Sequence, residues 1–420
     1  MSILDKSQLN KKIATIVLAG GLGTRLHPLT LHRCKPAVCF AGRYRLIDIP
    51  ISNSLNSQIF QIFVISQHFA SNLQKHLSLT YPHNVLQKGH LEMLCPEETI
   101  DGPNWFLGTA DAVRKNIDYI SNSNIEYFLI LSGDQLYNID LIKMVEFALE
   151  RKADLVVAAL PVGVQDATRM GLLKISSNYE IVDFIEKPKD PSVLEKFSFC
   201  QITKEMKSCY LGSMGIYVFK KEALLSLLQE NGDDFGKDLI PLQVKKGKTY
   251  AFVYDGYWED IGTVGSYYQA NLALIDQKKC LDMDDPNRPI YTKAHQLPSP
   301  KVINAKIENS IISQGCFIEA KEVIHSVIGL RTWIGKGTVI KDVIIMGNHE
   351  DAGTLEESYL TIGEDCIIEK TIIDERCRIG DRVTLTNIKS LSHYDGDGIF
   401  IREGIIIISS GTVVPDDFTL

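Results

Sequence analysis

The sequence predicts two bodies in series: an α/β domain with a mostly parallel sheet, then a parallel β-helix. Three observations carry this. Strand-like and helix-like stretches alternate up to about residue 280. Beyond residue 300 helical periodicity is gone, and aliphatic residues return every six positions. Between the two, Asp284-Asp285-Pro286-Asn287-Arg288-Pro289 and Leu297-Pro298-Ser299-Pro300 punctuate the chain as a linker. At 420 residues the chain is also too long for one typical core.

In the first body, strands are expected at Ile13–Ala19, Ile62–Ser66, Tyr127–Leu131, Leu155–Leu160, Leu172–Ile175, Ile181–Ile185, Ile216–Phe219 and Tyr250–Tyr254. Expected helices include Ala110–Ile120, Leu141–Arg151, Ala223–Gln229 and Ser266–Ile275. In the second body, Ile312, Ile318 and Ile324 form one six-residue series. Ile328, Ile334, Ile340 and Met346 form another, and Ile367, Ile373, Ile379 and Leu385 a third. Such a period suits a triangular coil with three six-residue sides per turn, each aliphatic side chain pointing into the axis. A plain antiparallel β-domain is the competing reading, and three in-phase runs favour the coil. Asn348–Ser358 breaks the period and is expected to leave the coil as a loop.

Composition excludes several classes of function. A formal net charge of −8 speaks against a broad nucleic-acid footprint. No apolar run approaches membrane-spanning length, and Met1–Lys12 is polar, unlike a signal peptide. Nine cysteines without a Cys-x-x-Cys pair fit free thiols in a reducing cytoplasm, not a disulfide framework or a zinc site. Neither a metal-spaced histidine cluster nor a Gly-x-Ser-x-Gly elbow is present, so zinc catalysis and hydrolytic triads find no support.

The chemistry starts at Leu18-Ala19-Gly20-Gly21-Leu22-Gly23-Thr24-Arg25-Leu26, where a β-branched strand runs into three glycines. Backbone amides close on a phosphate chain only where no Cβ intervenes, and an arginine fork adds matching charge. The loop is neither a Walker A, which ends in Gly-Lys-Ser/Thr, nor a dinucleotide fingerprint, since Leu26 stands where the third glycine belongs. An ordinary tight turn is the alternative, but converging Arg25 and Lys35 give it less room. Gly133-Asp134 ends the Tyr127 strand and so delivers Asp134 to the carboxyl edge of the sheet. Asp260, in Tyr257-Trp258-Glu259-Asp260-Ile261-Gly262-Thr263, supplies a second carboxylate. Two carboxylates beside a phosphate loop suit Mg²⁺, which binds through one or two carboxylates plus phosphate oxygens. Helix capping is the alternative for each. Glu186-Lys187-Pro188 puts acid and base side by side at a strand end, where strand alternation lets only one face the crevice unless the strand stops there. Gly108-Thr109-Ala110-Asp111 opens a helix whose first amides offer an anion site, with a plain Thr109 cap as the alternative.

Taken together the motifs resemble the glucose-1-phosphate adenylyltransferases, over nearly the whole chain from Ile13. The carriers are the glycine loop, Lys35-Pro36-Ala37-Val38, Tyr44-Arg45-Leu46-Ile47-Asp48-Ile49-Pro50-Ile51-Ser52-Asn53 and Trp105-Phe106-Leu107-Gly108-Thr109-Ala110-Asp111-Ala112-Val113. They continue through Gly133-Asp134-Gln135-Leu136-Tyr137, Ser213-Met214-Gly215-Ile216-Tyr217 and Phe235-Gly236-Lys237-Asp238-Leu239-Ile240-Pro241. The C-terminal region looks more like the cyanobacterial and plant forms. The resemblance implies a Rossmann-like nucleotidyltransferase domain over 1–285, a linker over 286–300 and a left-handed β-helix over 301–420. It implies transfer of the adenylyl group of ATP to α-D-glucose 1-phosphate, with Mg²⁺, in a cytoplasmic homotetramer under an anionic effector.

Residue by residue, the resemblance implies Arg25 and Lys35 on the triphosphate, with Leu18, Gly20, Gly21, Gly23, Thr24, Gln67, Gly108, Thr109 and Asp111 around ATP. Asp134 and Asp260 would hold the metal. Phe106, Gly171, Glu186, Lys187 and Ser213 would hold glucose 1-phosphate, and Gln67 and Trp105 would link regulation to catalysis. An already ionised phosphate attacks the α-phosphorus, so no general base is needed and none is offered. Two departures concern regulation: His32 and Ser410 stand where many relatives carry lysines associated with effectors. A histidine is mostly neutral near pH 7. The expectation is activity without effector and modest stimulation, with Arg33, Arg43, Arg45 and Arg402 left to hold a weaker anion and Ser410→Lys raising the response to 3-phosphoglycerate. Two other functions stay open: a different nucleotide or sugar 1-phosphate, or a regulatory subunit of a hetero-oligomer. A coil histidine, His325, is the one candidate for acyl transfer.

Overall fold

A computed structural model describes residues 9–82, 89–99, 102–199, 209–276, 279–349 and 359–420. Its first body is built on a sheet of ten strands. In chain order these are β1 (Ile13–Leu18), β2 (Gln61–Ile65), β3 (His90–Leu94), β4 (Tyr127–Ser132) and β5 (Leu155–Val162). They continue as β6 (Gly171–Ile175), β7 (Ile181–Glu186), β8 (Ser198–Phe199), β9 (Cys209–Lys220) and β10 (Thr249–Val253). The main path runs β7-β6-β9-β4-β1-β2-β3, with β5 joining β9 to β10. The half around β1 is parallel, so the carboxyl ends of β1, β2 and β4 open on the same edge. Around β9 the pairing turns antiparallel. That strand spans Cys209–Lys220, well beyond the expected Ile216–Phe219.

Side chains alternate along β1, so the sheet is covered on both faces. Ile13 and Val17 pack with the helices Asp48–Asn56, Ala70–Thr80 and Leu141–Arg151. Ala14 and Ile16 pack with Thr109–Ile120, Lys221–Leu228 and Ile240–Lys246. Helices Asp48–Asn56 and Ala70–Thr80 were outside the expected set. The first is buried nearly all round, which removes the one-sided stripe that marks a helix, and it carries Pro50 in its opening turn.

The second body is a coil of three parallel sheets of six, five and seven strands, the last carrying the antiparallel pair His393–Asp395 and Ile399–Arg402 at its end. Its axis is filled by Ile318, Val323, Ile328, Ile334, Ile340, Ile345, Ile362, Ile368, Ile373, Ile379 and Leu385. Three of the six-residue assignments are therefore corrected. Ile324 is half-buried and Ile367 is 45% exposed, while their neighbours Val323 and Ile368 point inward. Met346 is buried, but on the outer face against the first body, while Ile345 fills the axis. The physical reason is that sides of five residues are mixed with sides of six, so a strict period slips by one where a side is short. Residues 350–358 of the expected loop lie outside the described residues; Asn348 and His349 are buried.

The two bodies share an apolar seam. Leu26, Leu29, Val38, Phe40, Val264 and Tyr267 from the first meet Val327, Ile344, Met346, Ile372, Ile405 and Ile407 from the coil. His325 sits in this seam with Nδ1 2.6 Å from Asp342 and Nε2 3.4 Å from Asp276. Clamped between a coil carboxylate and one on the last helix of the first body, it has the surroundings of a structural pair, not those of an acyl-transfer base.

Candidate active site

A cleft of about 1120 Å³ opens at the carboxyl edge of the sheet. Leu18, Gly20, Gly21, Arg25, Gln67, Phe106, Gly108, Thr109, Asp134, Gly171, Glu186, Lys187, Ser213 and Asp260 all line it. Sequence positions 240 residues apart thus meet in one place, because β1, β2 and β4 end side by side. The glycine loop follows β1. A Cβ on Gly21 would have nothing within 4 Å, and one on Gly20 only the Gln67 Cβ at 3.9 Å. The protein itself leaves that wall bare. Gly23 is different: its φ of +65° and the nearness of Thr30 and Lys35 make it a structural turn residue that does not line the cleft. Thr24 and Arg25 follow in a short 3₁₀ turn, with Arg25 exposed.

Beneath the loop lies the charged centre. Lys35 is buried, and its Nζ stands 2.5 Å from Asp134 Oδ2 and 3.8 Å from Asp260 Oδ1. Asp260 arrives on the short strand Trp258–Asp260, which pairs with Gln135–Tyr137 directly after Asp134. This pairing is what brings the two carboxylates together. Burial and the neighbouring charge of Asp134 raise the Asp260 carboxyl above its ordinary range, against the pull of Lys35, Arg25 and Lys187. One lysine faces two carboxylates, so the donor set has room for a further cation. Among the described residues no group of three or more His, Cys, Asp or Glu forms a metal cage. Two carboxylates completed by phosphate oxygens and water are what Mg²⁺ accepts.

Across the cleft β7 stops at Glu186, and Lys187 takes a left-handed conformation with φ of +46°. That break in alternation lets both side chains line the cleft, 2.7 Å apart. Glu186 rests in a notch that only glycines leave open: a Cβ on Gly171 or on Gly236 would fall 2.8 Å from its Oε2. On β9, beyond β6, Ser213 Oγ accepts the Gly215 amide at 3.2 Å.

The helix Thr109–Ile120 corrects one expectation. Its first amides are already engaged: Ala110 and Asp111 donate to the Asp233 carbonyl at 2.8 and 3.2 Å. Thr109 does not cap its own helix; its hydroxyl donates to Asp234 at 3.0 Å and accepts from the Phe235 amide at 3.0 Å. Asp111 turns away from the cleft, accepting the Leu107 amide at 2.9 Å and pairing with Lys115 at 3.0 Å. Gln67 Oε1 accepts the Phe106 amide at 2.5 Å, tying the segment over the cleft mouth to the end of β2. Trp105, half-exposed, stacks on His68 at 5.8 Å. Gln135, buried on the cleft wall and holding Trp258 Nε1 at 3.4 Å, was missed; its place right after Asp134 was the available signal.

Three of the four arginines expected to hold an anion are otherwise engaged. Arg33 is buried, 2.8 Å from Asp374 and 3.5 Å from Glu375, and Arg45 lies 3.1 Å from Glu375. Arg402 pairs with Asp395 at 2.5 Å, and Arg43 lies over the Tyr44 ring. His32 is exposed, and Ser410 donates to the Glu375 carbonyl at 3.1 Å.

Comparison with known proteins agrees with this architecture. Residues 14–277 match the nucleotidyl transferase family model, and residues 295–419 match the GLGC left-handed parallel beta-helix domain. The chain is 40% identical over 433 aligned positions to a glucose-1-phosphate adenylyltransferase small subunit, chloroplastic/amyloplastic, of Triticum aestivum. That alignment covers 97% of this chain and 91% of the wheat protein. No helix among the described residues is long and apolar enough to cross a membrane. A bare phosphate-loop wall, a lysine between two carboxylates and a left-handed coil behind them, matched end to end, make the chain a member of the glucose-1-phosphate adenylyltransferase family.

Proposed function

We propose that the chain transfers the adenylyl group of ATP to α-D-glucose 1-phosphate, giving ADP-glucose and pyrophosphate for α-glucan synthesis. The observation that carries this is Lys35 between Asp134 and Asp260 beneath the bare Gly20–Gly21 wall, with Lys187 and Glu186 facing them across one cleft. Arg25 and the loop amides hold the triphosphate, and Lys35 neutralises charge as it shifts toward the leaving pyrophosphate. Lys187 binds the sugar phosphate and Glu186 the sugar hydroxyls, so the phosphate oxygen faces the α-phosphorus in line. The attacking group is already ionised, so no proton has to move. When bound at Asp134 and Asp260, Mg²⁺ would supply charge neutralisation at the transferring phosphate. Gln67 and Trp105 set the position of the 105–108 segment over ATP.

Two features of the assembly belong to the same reading. The chain forms a homotetramer in a reducing cytoplasm, its coil contributing contact through exposed Trp333, Ile367 and Val413. It works without an effector, since the arginines near the loop are paired internally. The wheat relative is named a small subunit, which favours a second reading as one subunit of a hetero-oligomer. Turnover of the purified chain with ATP, UTP, GTP and CTP, each with glucose 1-phosphate, separates these readings. Preference for ATP by the chain alone is expected. Preference for another nucleotide overturns the substrate, and no turnover with any of them favours the second reading.

A further inference from the structure

The seam between the two bodies is largely apolar, and one buried charged cluster crosses it two residues from Lys35 in the chain. There, residues 374 and 375, on the loop after the coil strand Thr371–Ile373, push two buried carboxylates into the first body. Arg33 receives both, at 2.8 Å from Asp374 and 3.5 Å from Glu375, and Arg45 meets Glu375 at 3.1 Å. Burial by itself would raise the Glu375 carboxyl, yet Arg33 and Arg45 together hold it far below the ordinary range. All four side chains are buried or nearly so, and such an arrangement is costly to assemble and far more costly to leave half-paired.

Its position suggests what it is for. Arg33 lies two residues before Lys35, and Arg45 also donates to the Ala37 carbonyl, two residues after it. The 3₁₀ turn Lys35–Ala37 that presents the lysine to Asp134 is therefore held by Arg45 and joined in the chain to Arg33, and both arginines answer to the coil. Further bonds to the turn, from Ile47 to Pro36 and from Leu46 to Val38, come from the segment that carries Arg45. Two arginines converging beside a phosphate loop would ordinarily call for a free anion.

The geometry points to Asp374 and Glu375 as positioning residues: a built-in counter-anion that, through Arg33 and Arg45, holds the turn carrying Lys35 in its working place. The chain thereby supplies internally what a dissociable anion would otherwise provide. The catalytic consequence rests on the reaction proposed above; the anion demand of the arginine pair does not.

The test is anion rescue. In Glu375→Ala, Arg45 loses its carboxylate partner, Arg33 keeps only Asp374, and a small cavity opens between the two bodies. Sulfate, added as the probe at millimolar concentration, should raise the melting temperature of Glu375→Ala by about 3 °C more than that of the unsubstituted protein. Without sulfate the variant should lose about 10-fold or more in kcat, because misplacing a catalytic cation by a fraction of an ångström is enough. Sulfate should return at least half of that loss. Glu375→Ser, which leaves nearly the same space, gives the same pattern should the alanine variant fail to fold, and adding Arg45→Gln to either should abolish the sulfate response. A merely structural carboxylate would lower the melting temperature without any sulfate-specific recovery. Equal sulfate effects on variant and unsubstituted protein, or undiminished kcat in the variant, overturn the inference. The melting arm contains neither ATP nor sugar phosphate, so it fails only with this inference; absence of ADP-glucose formation by the unsubstituted protein fails the reaction instead.

Discussion

Replacing Lys187 with alanine tests the division of labour across the cleft. The side chain is 61% exposed and its close partner among the described residues, Glu186 at 2.7 Å, is beside it in sequence. An exposed pair of this kind contributes about 0.2–1 kcal/mol to folding, so the melting temperature should move by no more than about 2 °C. Its role toward a bound phosphate is larger. A hydrogen bond to a charged group is worth about 1.5–3 kcal/mol, which converts to a rise of about 10- to 150-fold in KM for glucose 1-phosphate. Because the sugar phosphate carries its charge before and during transfer, the contact is made in both states, and kcat should change little. The assay is initial pyrophosphate release at saturating ATP with glucose 1-phosphate varied over three decades. A fall in kcat at unchanged KM would refute the assignment of Lys187 to ground-state binding.

Asp134→Asn should show the opposite pattern, a loss of about 10²-fold or more in kcat, measured with magnesium varied, because the neutral amide no longer shares a cation with Asp260. Gly21→Val should leave the melting temperature within about 2 °C of the parent, since its Cβ meets nothing within 4 Å, yet raise KM for ATP about 10-fold by occupying the bare wall. Asp48 is fully buried against His76, Tyr81 and Thr292; burial alone would raise its carboxyl, but His76 and the hydrogen bonds hold it below the ordinary range. Its stabilising contribution is therefore complete above about pH 4 and is lost as pH falls through the lowered value. Asp48→Asn should cost about 3 kcal/mol at pH 7, and thermal melts at falling pH should show the gap to the parent closing below pH 4.

Much of this was legible in the sequence because local rules and the fold agree. The β1 strand, the glycine loop and Asp134 follow from strand chemistry and from the carboxyl-edge rule for open α/β sheets. The coil could be seen because its aliphatic residues recur, though a fixed period of six misassigned Ile324, Met346 and Ile367 where a side shortens to five. Other features depend on contacts that no local pattern carries. Whether the amides of Thr109–Ile120 are free is decided by the Asp233 carbonyl, more than a hundred residues away. The glycines at 171 and 236 look alike in sequence to any turn glycine, and only the packed structure shows them making room for Glu186. Two of the arginines expected to greet an effector, Arg33 and Arg45, are claimed by Asp374 and Glu375, more than three hundred residues away in the chain. Ser410 donates to the Glu375 main-chain carbonyl, a contact between residues 35 apart that no local pattern shows.

The most direct measurement follows the α-phosphate itself. The purified chain alone, given ATP labelled at the α-phosphorus with unlabelled glucose 1-phosphate and magnesium, should move the label into ADP-glucose while releasing one pyrophosphate per product. Replacing Lys35 by methionine should stop that transfer while leaving the label in ATP. Label that stays in ATP with the unsubstituted chain, or that appears as AMP without a sugar nucleotide, would contradict the assignment of this cleft to adenylyl transfer.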